Sequence, residues 1–306
     1  MCKDGIKVRL GFVKFLRNSG KLEPLVDNMK VKFFNRELWS SYANVISILS
    51  MLAGTYLYFW EIPENIKSCV GIIFLIVIFG IFIVKFYNAN QLKNIVLEID
   101  GSIVEIRQGD VFEEIDNSLV TISFNEYFDT SVDNVLIAEK TINGQFLKTK
   151  VRDVGKFEKF LNDSLINVNC SINETKELGK NKKYELGTTI VYEDKYLITA
   201  FAKFDKNNRA VLTIDEYISF LMNFWKKVDQ LYALRTIVIP IFGSGITRIE
   251  ENNPISDEDL LRIILWTFKL SSMKFNHSES KLIITIHSNN MKNINLFNIQ
   301  GIKNGL

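Results

Sequence analysis

Two long stretches without a charged residue constrain this chain most strongly. Residues 38–60 form an uncharged run of 23 residues, and residues 68–84 form a second run of 17. A helix of the first length is roughly 34 Å long, against about 30 Å for the hydrocarbon core of a bilayer. Lys67 and Lys85 flank the shorter run, and lysine side chains can extend to the membrane interface. The sequence therefore predicts two transmembrane helices, at 38–60 and 68–86.

Two other interpretations of these runs are weaker. A buried core helix typically has an apolar run of about 10 to 14 residues, which is shorter than either run here. A cleaved signal peptide begins its apolar region within the first few residues, whereas 37 residues precede the first run in this chain. We therefore expect both segments to span the membrane.

The distribution of lysine and arginine predicts the topology. Only residues 61–67 separate the two runs, so residues 38–87 should form a hairpin with a short turn. Residues 1–37 carry nine cations against four anions, and Lys85 and Lys93 follow the second run. The positive-inside rule then places both termini in the cytoplasm. Residues 1–37 form a basic segment with interspersed phenylalanines, which is typical either of a segment lying on anionic lipid or of a solvated tail.

Composition excludes several classes of function. Lys plus Arg is 37 and Asp plus Glu is 35, so a net charge of +2 gives no reason to expect a nucleic-acid partner. The three cysteines are far apart and form no CxxC pair, which argues against a disulfide framework and a zinc site. His277 and His287 have no partner at a metal-ligand spacing, so we expect no metal centre.

Residues 94–306 have the pattern of one α/β domain. Asp100-Gly101 predicts the type I′ turn of a β-hairpin. Thr213 with Glu216, and Ser256 with Asp259, are N-cap patterns that begin two amphipathic helices. Further strands are predicted at 119–123, 188–192, 196–201, 236–242 and 282–287. This alternation predicts an α/β sandwich with a largely parallel or mixed sheet, in which ligands bind at the carboxyl ends of the strands.

Four short stretches lie where that rule places a ligand. They are "RQGDVF" with Asp110 and Val111, "ISFN" with Asn125, "LGTT" with Gly187 and Thr188, and "FGSGIT" with Gly243, Ser244, Gly245, Ile246 and Thr247. Two glycines in the last stretch allow backbone N–H groups to approach an anion without obstruction by side chains. Taken alone, each stretch is also consistent with a turn or a strand end, and a lone Gly-x-Gly is weak evidence that is more often structural than functional.

In this order the stretches resemble the macro domain, an ADP-ribose-binding α/β fold. The resemblance covers roughly residues 95–287 and implies a three-layer sandwich with a mixed sheet. It implies that Asp110 and Val111 contact adenine and that the loop from Gly243 to Thr247 binds the diphosphate. Asn125 and Gly144 would contact the distal ribose or its substituent, and Gly187 and Thr188 would lie at the sheet edge. The implied ligand is an ADP-ribose derivative, with no cofactor.

One departure from the family pattern bears on catalysis. Macro domains that hydrolyse ADP-ribose conjugates have a glycine run soon after the Asn loop, whereas this chain has "EYFDTSVDNVLIAEKTINGQF" with Gly144 alone. No Ser-His-Asp or Cys-His arrangement compensates. We therefore expect ligand recognition without turnover and no catalytic residue, with a membrane-tethered ADP-ribosyl hydrolase as the alternative. A passive membrane scaffold is a third hypothesis.

Two membrane spans before a divergent macro domain resemble the transmembrane-macro effectors of bacterial Thoeris antiphage defence. That resemblance implies location in the bacterial inner membrane and a TIR-domain partner enzyme that makes the nucleotide signal, such as a histidine conjugate of ADP-ribose. It also implies that several copies assemble to compromise the membrane. Lys176, Lys180, Lys182 and Lys183 could suggest a nucleotide-binding patch, but we interpret them as a solvated loop.

Overall fold

The computed structural model divides the chain into two compact units. They are Met1–Leu92 and Lys93–Leu306. The structure describes residues 30–113, 115–205, 208–245, 247–249, 255–271, 273–275 and 280–301. Most of the predicted basic segment therefore lies outside the described residues, as does Ile246 of the predicted diphosphate loop.

The first unit contains two long helices, α1 (Arg36–Phe59) and α2 (Glu64–Gln91). Asn35 caps α1 by accepting a hydrogen bond from the backbone N–H of Leu38, and Pro63 stands at the N-cap of α2. Their most apolar segments have mean hydropathies of 1.3 and 2.9, so both helices are long and apolar enough to cross a bilayer. Helix α2 is longer than the predicted 68–86 at both ends, because flanking polar residues continue its helical turns.

Polar contacts join the two helices inside their apolar surroundings. The Tyr42 hydroxyl donates to the carbonyl of Ile78 at 3.1 Å. Lys85 Nζ donates to Ser41 Oγ at 2.8 Å, so this lysine pairs with α1 where the sequence analysis expected it to extend to the interface. Phe82 packs against Tyr42, with ring centroids 5.1 Å apart. The hairpin is therefore held by specific hydrogen bonds as well as by packing.

The second unit is built on a mixed β-sheet. Within the described residues nine strands form one sheet and β4 and β5 form a separate hairpin. The strands are β1 (Asn94–Ile99), β2 (Ser102–Gln108), β3 (Ser118–Asn125), β4 (Cys170–Ile172), β5 (Lys182–Tyr184), β6 (Thr189–Tyr192), β7 (Tyr196–Phe204), β8 (Ala210–Leu212), β9 (Thr236–Pro240), β10 (Arg248–Ile249) and β11 (Leu282–Ile286).

Five parallel strands form the centre of the sheet, in the order β2-β11-β9-β3-β7. Antiparallel pairs flank them, with β1 on β2 and with β6 and β8 on β7. The predicted turn between β1 and β2 is confirmed, because Asp100 and Gly101 both have positive φ, at 47° and 82°. The predicted mixed sheet is confirmed as well, and it places the carboxyl ends of five strands at one edge.

Helices cover both faces of this sheet. They are α3 (Ile142–Thr149), α4 (Val154–Ser164), α5 (Ile214–Leu231), α6 (Asp257–Leu270) and α7 (Leu296–Gly301). Phe146 of α3 and Phe157 of α4 pack against Phe124 on one face. On the other face Phe220 of α5 packs against Phe201, with ring centroids 4.8 Å apart. The predicted three-layer arrangement follows from these two cores.

The N-caps that begin α5 and α6 form as predicted. Thr213 and Glu216 make the reciprocal hydrogen bonds of a capping box, and the Ser256 side chain accepts from the N–H of Asp259. Capping satisfies N–H groups that the first helical turn leaves without partners. The start of α5 matters for the site described next, because its first turn carries the buried Tyr217.

Candidate functional site

A cleft of about 800 Å³ opens where the parallel strands end. Its walls are formed by residues 109–112 after β2, 123–125 at the end of β3, 240–245 after β9, and Thr285 and His287 around the end of β11. A further wall comes from the segment that leads into α3, including Thr141 and Asn143. The cleft therefore lies at the carboxyl ends of the strands, where doubly wound sheets bind ligands.

The loop after β9 adopts a backbone that requires glycine at one position. Gly243 has φ of 86°, and a Cβ atom built on it would lie 2.3 Å from Cδ1 of Ile249. Gly245 differs, because a Cβ there would meet no atom within 4 Å. Within the described part of the chain, the N–H groups of Gly243 and Gly245 have no hydrogen-bond partner. This loop can therefore present two N–H donors to an anion in the cleft.

Two residues outside the loop hold it in place. The Tyr217 hydroxyl donates to the carbonyl of Phe242 at 3.0 Å, and burial raises the pKa of Tyr217 well above its usual value, so the hydroxyl remains a donor. Asn290 Nδ2 donates to the carbonyl of Ser244 at 2.8 Å. Ser244 turns inward as well, since its Oγ donates to the carbonyl of Ile241. The loop is thus fixed before any ligand binds.

Asp110 and Val111 also line the cleft. Oδ1 of Asp110 accepts from the N–H of Phe112 at 2.9 Å, which closes a tight turn after β2. The Asp110 side chain is exposed, whereas Val111 is buried. This geometry brings a carboxylate and a small apolar surface together at the predicted adenine position, and the contact with adenine itself stays a prediction.

Asn125 ends β3, lines the cleft and is buried. Its Oδ1 accepts from the N–H groups of Tyr127 at 3.0 Å and of Asp129 at 3.2 Å. Its Nδ2 donates to Oδ2 of Asp129 at 3.1 Å. The side chain of Asn125 is therefore fixed by its own loop.

Three of the predicted site residues do not line the cleft. A Cβ on Gly144 would lie 2.3 Å from the carbonyl oxygen of Ala138, so this glycine allows α3 to pack closely on the preceding backbone. Gly187 has φ of 90° and packs against Asn223 of α5. Thr188 pairs with strand β7 through its carbonyl, which accepts from Ala200 at 2.9 Å. The structure gives the two glycines a packing role and Thr188 a place in the hydrogen bonding of the sheet.

The lysine-rich segment also differs from the expectation of a solvated loop. The Lys176 side chain is only 6% exposed, and its Nζ lies 2.7 Å from Oδ2 of Asp129, whose side chain is 1% exposed. Lys183 pairs with the buried Glu126 at 3.3 Å, and burial raises the pKa of Glu126 in spite of that lysine. The sequence run could not show these pairs, because the acidic partners lie about 50 residues earlier in the chain.

Several polar residues of the cleft were missed by the sequence analysis. They are Asn134, Lys140, Thr141, Asn143, Gln145, His287, Asn289 and Asn290. Most belong to irregular segments, where periodicity gives no signal. Among the described residues, no group of three or more His, Cys, Asp or Glu side chains is placed to hold a metal ion.

Comparisons with known proteins agree with this architecture. Residues 104–287 match the family described as "Thoeris protein ThsA, Macro domain". The Thoeris protein ThsA of Bacillus amyloliquefaciens (strain Y2) is 35% identical over 267 residues, which cover 86% of this chain and 89% of that protein.

Solved macrodomain structures are also similar to this chain. An Asp-to-Ala variant of the Oceanobacillus iheyensis macrodomain is 13% identical, with a TM-score of 0.47, over 70% of this chain and all of that one. An Asn-to-Ala variant of the same macrodomain has a TM-score of 0.43, covering 70% of this chain and 95% of its own. By the family match and the identity to the Bacillus protein, the chain belongs to the Thoeris ThsA macro-domain family.

Proposed function

We propose that this chain is a membrane-anchored effector of antiphage defence that is switched on by a nucleotide. Its macro domain binds an ADP-ribose-derived signal, such as histidine-ADP-ribose, which a TIR-domain partner enzyme makes. Binding triggers assembly of several copies and disruption of the bacterial inner membrane, with both termini of each chain in the cytoplasm.

The glycine loop after β9 carries this proposal. The N–H groups of Gly243 and Gly245, which have no partner among the described residues, lie at the strand ends beside the cleft. Backbone N–H groups arranged in this way favour phosphate oxygens, because they supply donors without the bulk of side chains. A cleft of about 800 Å³ falls within the usual range for small-molecule sites, about 300–1,000 Å³. These features support a ligand with a diphosphate group.

Because the same chain carries two apolar helices, ligand binding by the macro domain can act on the membrane. A ligand can shift a conformational equilibrium only by the difference between its affinities for the two states, typically about 1–3 kcal/mol per site. Two helices cannot enclose a pore, so membrane disruption requires several copies, and each bound ligand adds its share of coupling. Recognition of the signal and damage to the membrane are therefore separate steps that can be measured separately.

Binding and turnover can be tested on the same preparation. The full chain, purified in detergent, is titrated calorimetrically with ADP-ribose and is incubated separately with ADP-ribosylated peptide. Stoichiometric binding with no released product supports the effector. Release of ADP-ribose supports a hydrolase, and no binding to either compound supports a passive scaffold.

Membrane disruption is tested with the chain reconstituted in dye-filled vesicles. Addition of histidine-ADP-ribose should release dye from vesicles containing the unmodified chain. Gly245→Leu should bind no nucleotide and release no dye, because Gly245 lines the cleft and a leucine side chain there would occupy space that the ligand needs. The fold should tolerate the change, since a Cβ at this position meets no atom of the described residues within 4 Å. Gly245→Ala is the matched control, with a smaller loss. Dye release from the Gly245→Leu vesicles would contradict ligand gating.

A further inference from the structure

The buried network behind Asn125 restricts what that side chain can offer to a ligand. An asparagine side chain has two N–H donors and an oxygen that accepts two hydrogen bonds. In this structure Oδ1 of Asn125 already accepts from two backbone N–H groups, and Nδ2 donates once to Asp129. Two backbone donors to one atom also identify that atom as the oxygen. A single N–H of Asn125 is left for the cleft.

Asp129 is the centre of this network. Its Oδ2 accepts from Asn125 and from the Lys176 ammonium, at 3.1 and 2.7 Å. Its Oδ1 accepts from the backbone N–H of Lys180 at 2.7 Å. The carboxylate is 1% exposed, so its charge is stable only while these donors remain, because an unpaired buried charge is costly.

Lys176 is held as firmly as its partner. Its Nζ also donates to the carbonyl of Lys180 at 2.9 Å and lies 3.6 Å from the centre of the Tyr127 ring. Gly179 completes the arrangement, with φ of 79°, because a Cβ there would lie 2.4 Å from Oδ1 of Asp129. The backbone around 176–180 is thus shaped to enclose one carboxylate.

We infer that Asp129 and Lys176 are positioning residues for Asn125. Together with the backbone N–H groups of Tyr127 and Asp129, which hold Oδ1, they orient its amide so that one N–H, and not the carbonyl oxygen, faces the cleft. The ligand group that lies there must therefore be a hydrogen-bond acceptor, such as a sugar hydroxyl oxygen or a carboxylate. This inference rests on the proposed function, since it assigns the chemistry of one part of the same ligand.

The test compares two probes, ADP-ribose and ADP, on the full chain in detergent. ADP lacks the distal ribose, which is the part that the resemblance to macro domains places at Asn125. Asn125→Ala should weaken ADP-ribose binding by about 3- to 10-fold, the value of one hydrogen bond, and leave ADP binding unchanged. Asp129→Leu/Lys176→Met should give a loss of the same selectivity and no larger size, because it removes the acceptor of Nδ2 while the two backbone donors to Oδ1 remain.

The double substitution keeps the experiment interpretable if the single variants fold poorly. Asp129→Leu alone leaves the buried ammonium of Lys176 without its counter-charge, whereas removal of both charges together is usually tolerated. Lys176→Arg is the conservative variant and should retain binding of both probes. Glu126→Gln is the matched control, because Glu126 is a buried neighbour that pairs with Lys183 but makes no hydrogen bond to Asn125 in the described structure.

Combining the substitutions distinguishes a positioning role from a general loss of structure. In an Asn125→Ala background, Asp129→Leu/Lys176→Met should cause no further loss of ADP-ribose affinity, since its effect passes through the amide already removed. A further loss in that background, or an equal loss for ADP, would overturn the inference. So would unchanged ADP-ribose affinity in the double variant. If the unmodified chain binds neither probe, the proposed function itself fails, which is a different result from any of these.

Discussion

Gly243→Ala is the substitution for which the structure gives the clearest magnitude. The new Cβ would lie 2.3 Å from Cδ1 of Ile249, whereas carbon atoms in contact are about 3.5–4.0 Å apart. Alanine at a φ of 86° adds backbone strain of about 1–2 kcal/mol, and overpacking typically costs about 1–3 kcal/mol. We therefore expect a loss of about 3 kcal/mol in the free energy of unfolding.

Thermal unfolding of the full chain in detergent measures this loss. Tryptophan fluorescence is a suitable signal, because Trp225 lies fully buried in the second unit. At about 2–4 °C per kcal/mol for a domain of this size, Gly243→Ala should lower Tm by about 6–12 °C. Gly245→Ala is the matched control two residues away, and it should change Tm little, since its Cβ meets no atom within 4 Å.

The same substitution in an Ile249→Val background separates the cost of overpacking from the cost of backbone strain. Ile249→Val removes Cδ1, the atom that the new Cβ would meet at 2.3 Å, and leaves Cγ1 at 3.3 Å as the nearest. In that background Gly243→Ala should cost only the backbone strain of about 1–2 kcal/mol. The reasoning is refuted if Gly243→Ala lowers Tm no more than Gly245→Ala does, or if Ile249→Val leaves its cost unchanged.

Three further predictions concern groups that support the cleft. Tyr217→Phe leaves the buried carbonyl of Phe242 without its donor, which should cost about 1–3 kcal/mol and be visible as a lower Tm. Asn290→Ala frees the carbonyl of Ser244, so nucleotide affinity should fall several-fold in calorimetry with a Tm change of a few degrees at most. Because burial raises the pKa of Glu126 above its usual 4.5, its contribution to stability is present below about pH 4.5 and is lost as pH rises through the folded pKa. Glu126→Gln should therefore gain Tm relative to the unmodified chain between about pH 4 and pH 7, and a constant difference would contradict this.

The sequence predicts those parts of the fold that depend on local chemistry. An uncharged run of 23 residues is too long for an ordinary core helix, and Asp100-Gly101 supplies the positive φ values that a tight hairpin needs. The rule that ligands bind at strand carboxyl ends also needs only the order of the elements. The structure brings Asp110, Asn125 and the loop after β9 together around one cleft, where this rule predicts them.

Glycines show where such prediction ends. Gly187 and Gly243 both have positive φ, and a Cβ would collide with a neighbour at either position. One packs against α5 and the other shapes a loop of the cleft. Sequence shows that a side chain is absent, but only the fold shows which atom lies in that space, Cδ1 of Ile249 at Gly243 and Cβ of Asn223 at Gly187. Asn290 was not predicted for the same reason. It follows β11 and lies 46 residues after Ser244 in the chain, so the two meet only in the folded sheet.

Lys176 shows that the burial of a charged side chain is equally hard to predict from sequence. Four lysines within eight residues, 176–183, are typical of a solvated loop, yet Lys176 is enclosed by Asp129 and the Tyr127 ring. Asp129 in turn fixes Asn125, and Tyr217 fixes Phe242, which also lines the cleft. Under the proposed function, both residues are therefore held in place before the ligand binds, so little binding free energy goes into ordering them. A larger share of that free energy is then available to bias the conformational equilibrium on which an effector depends.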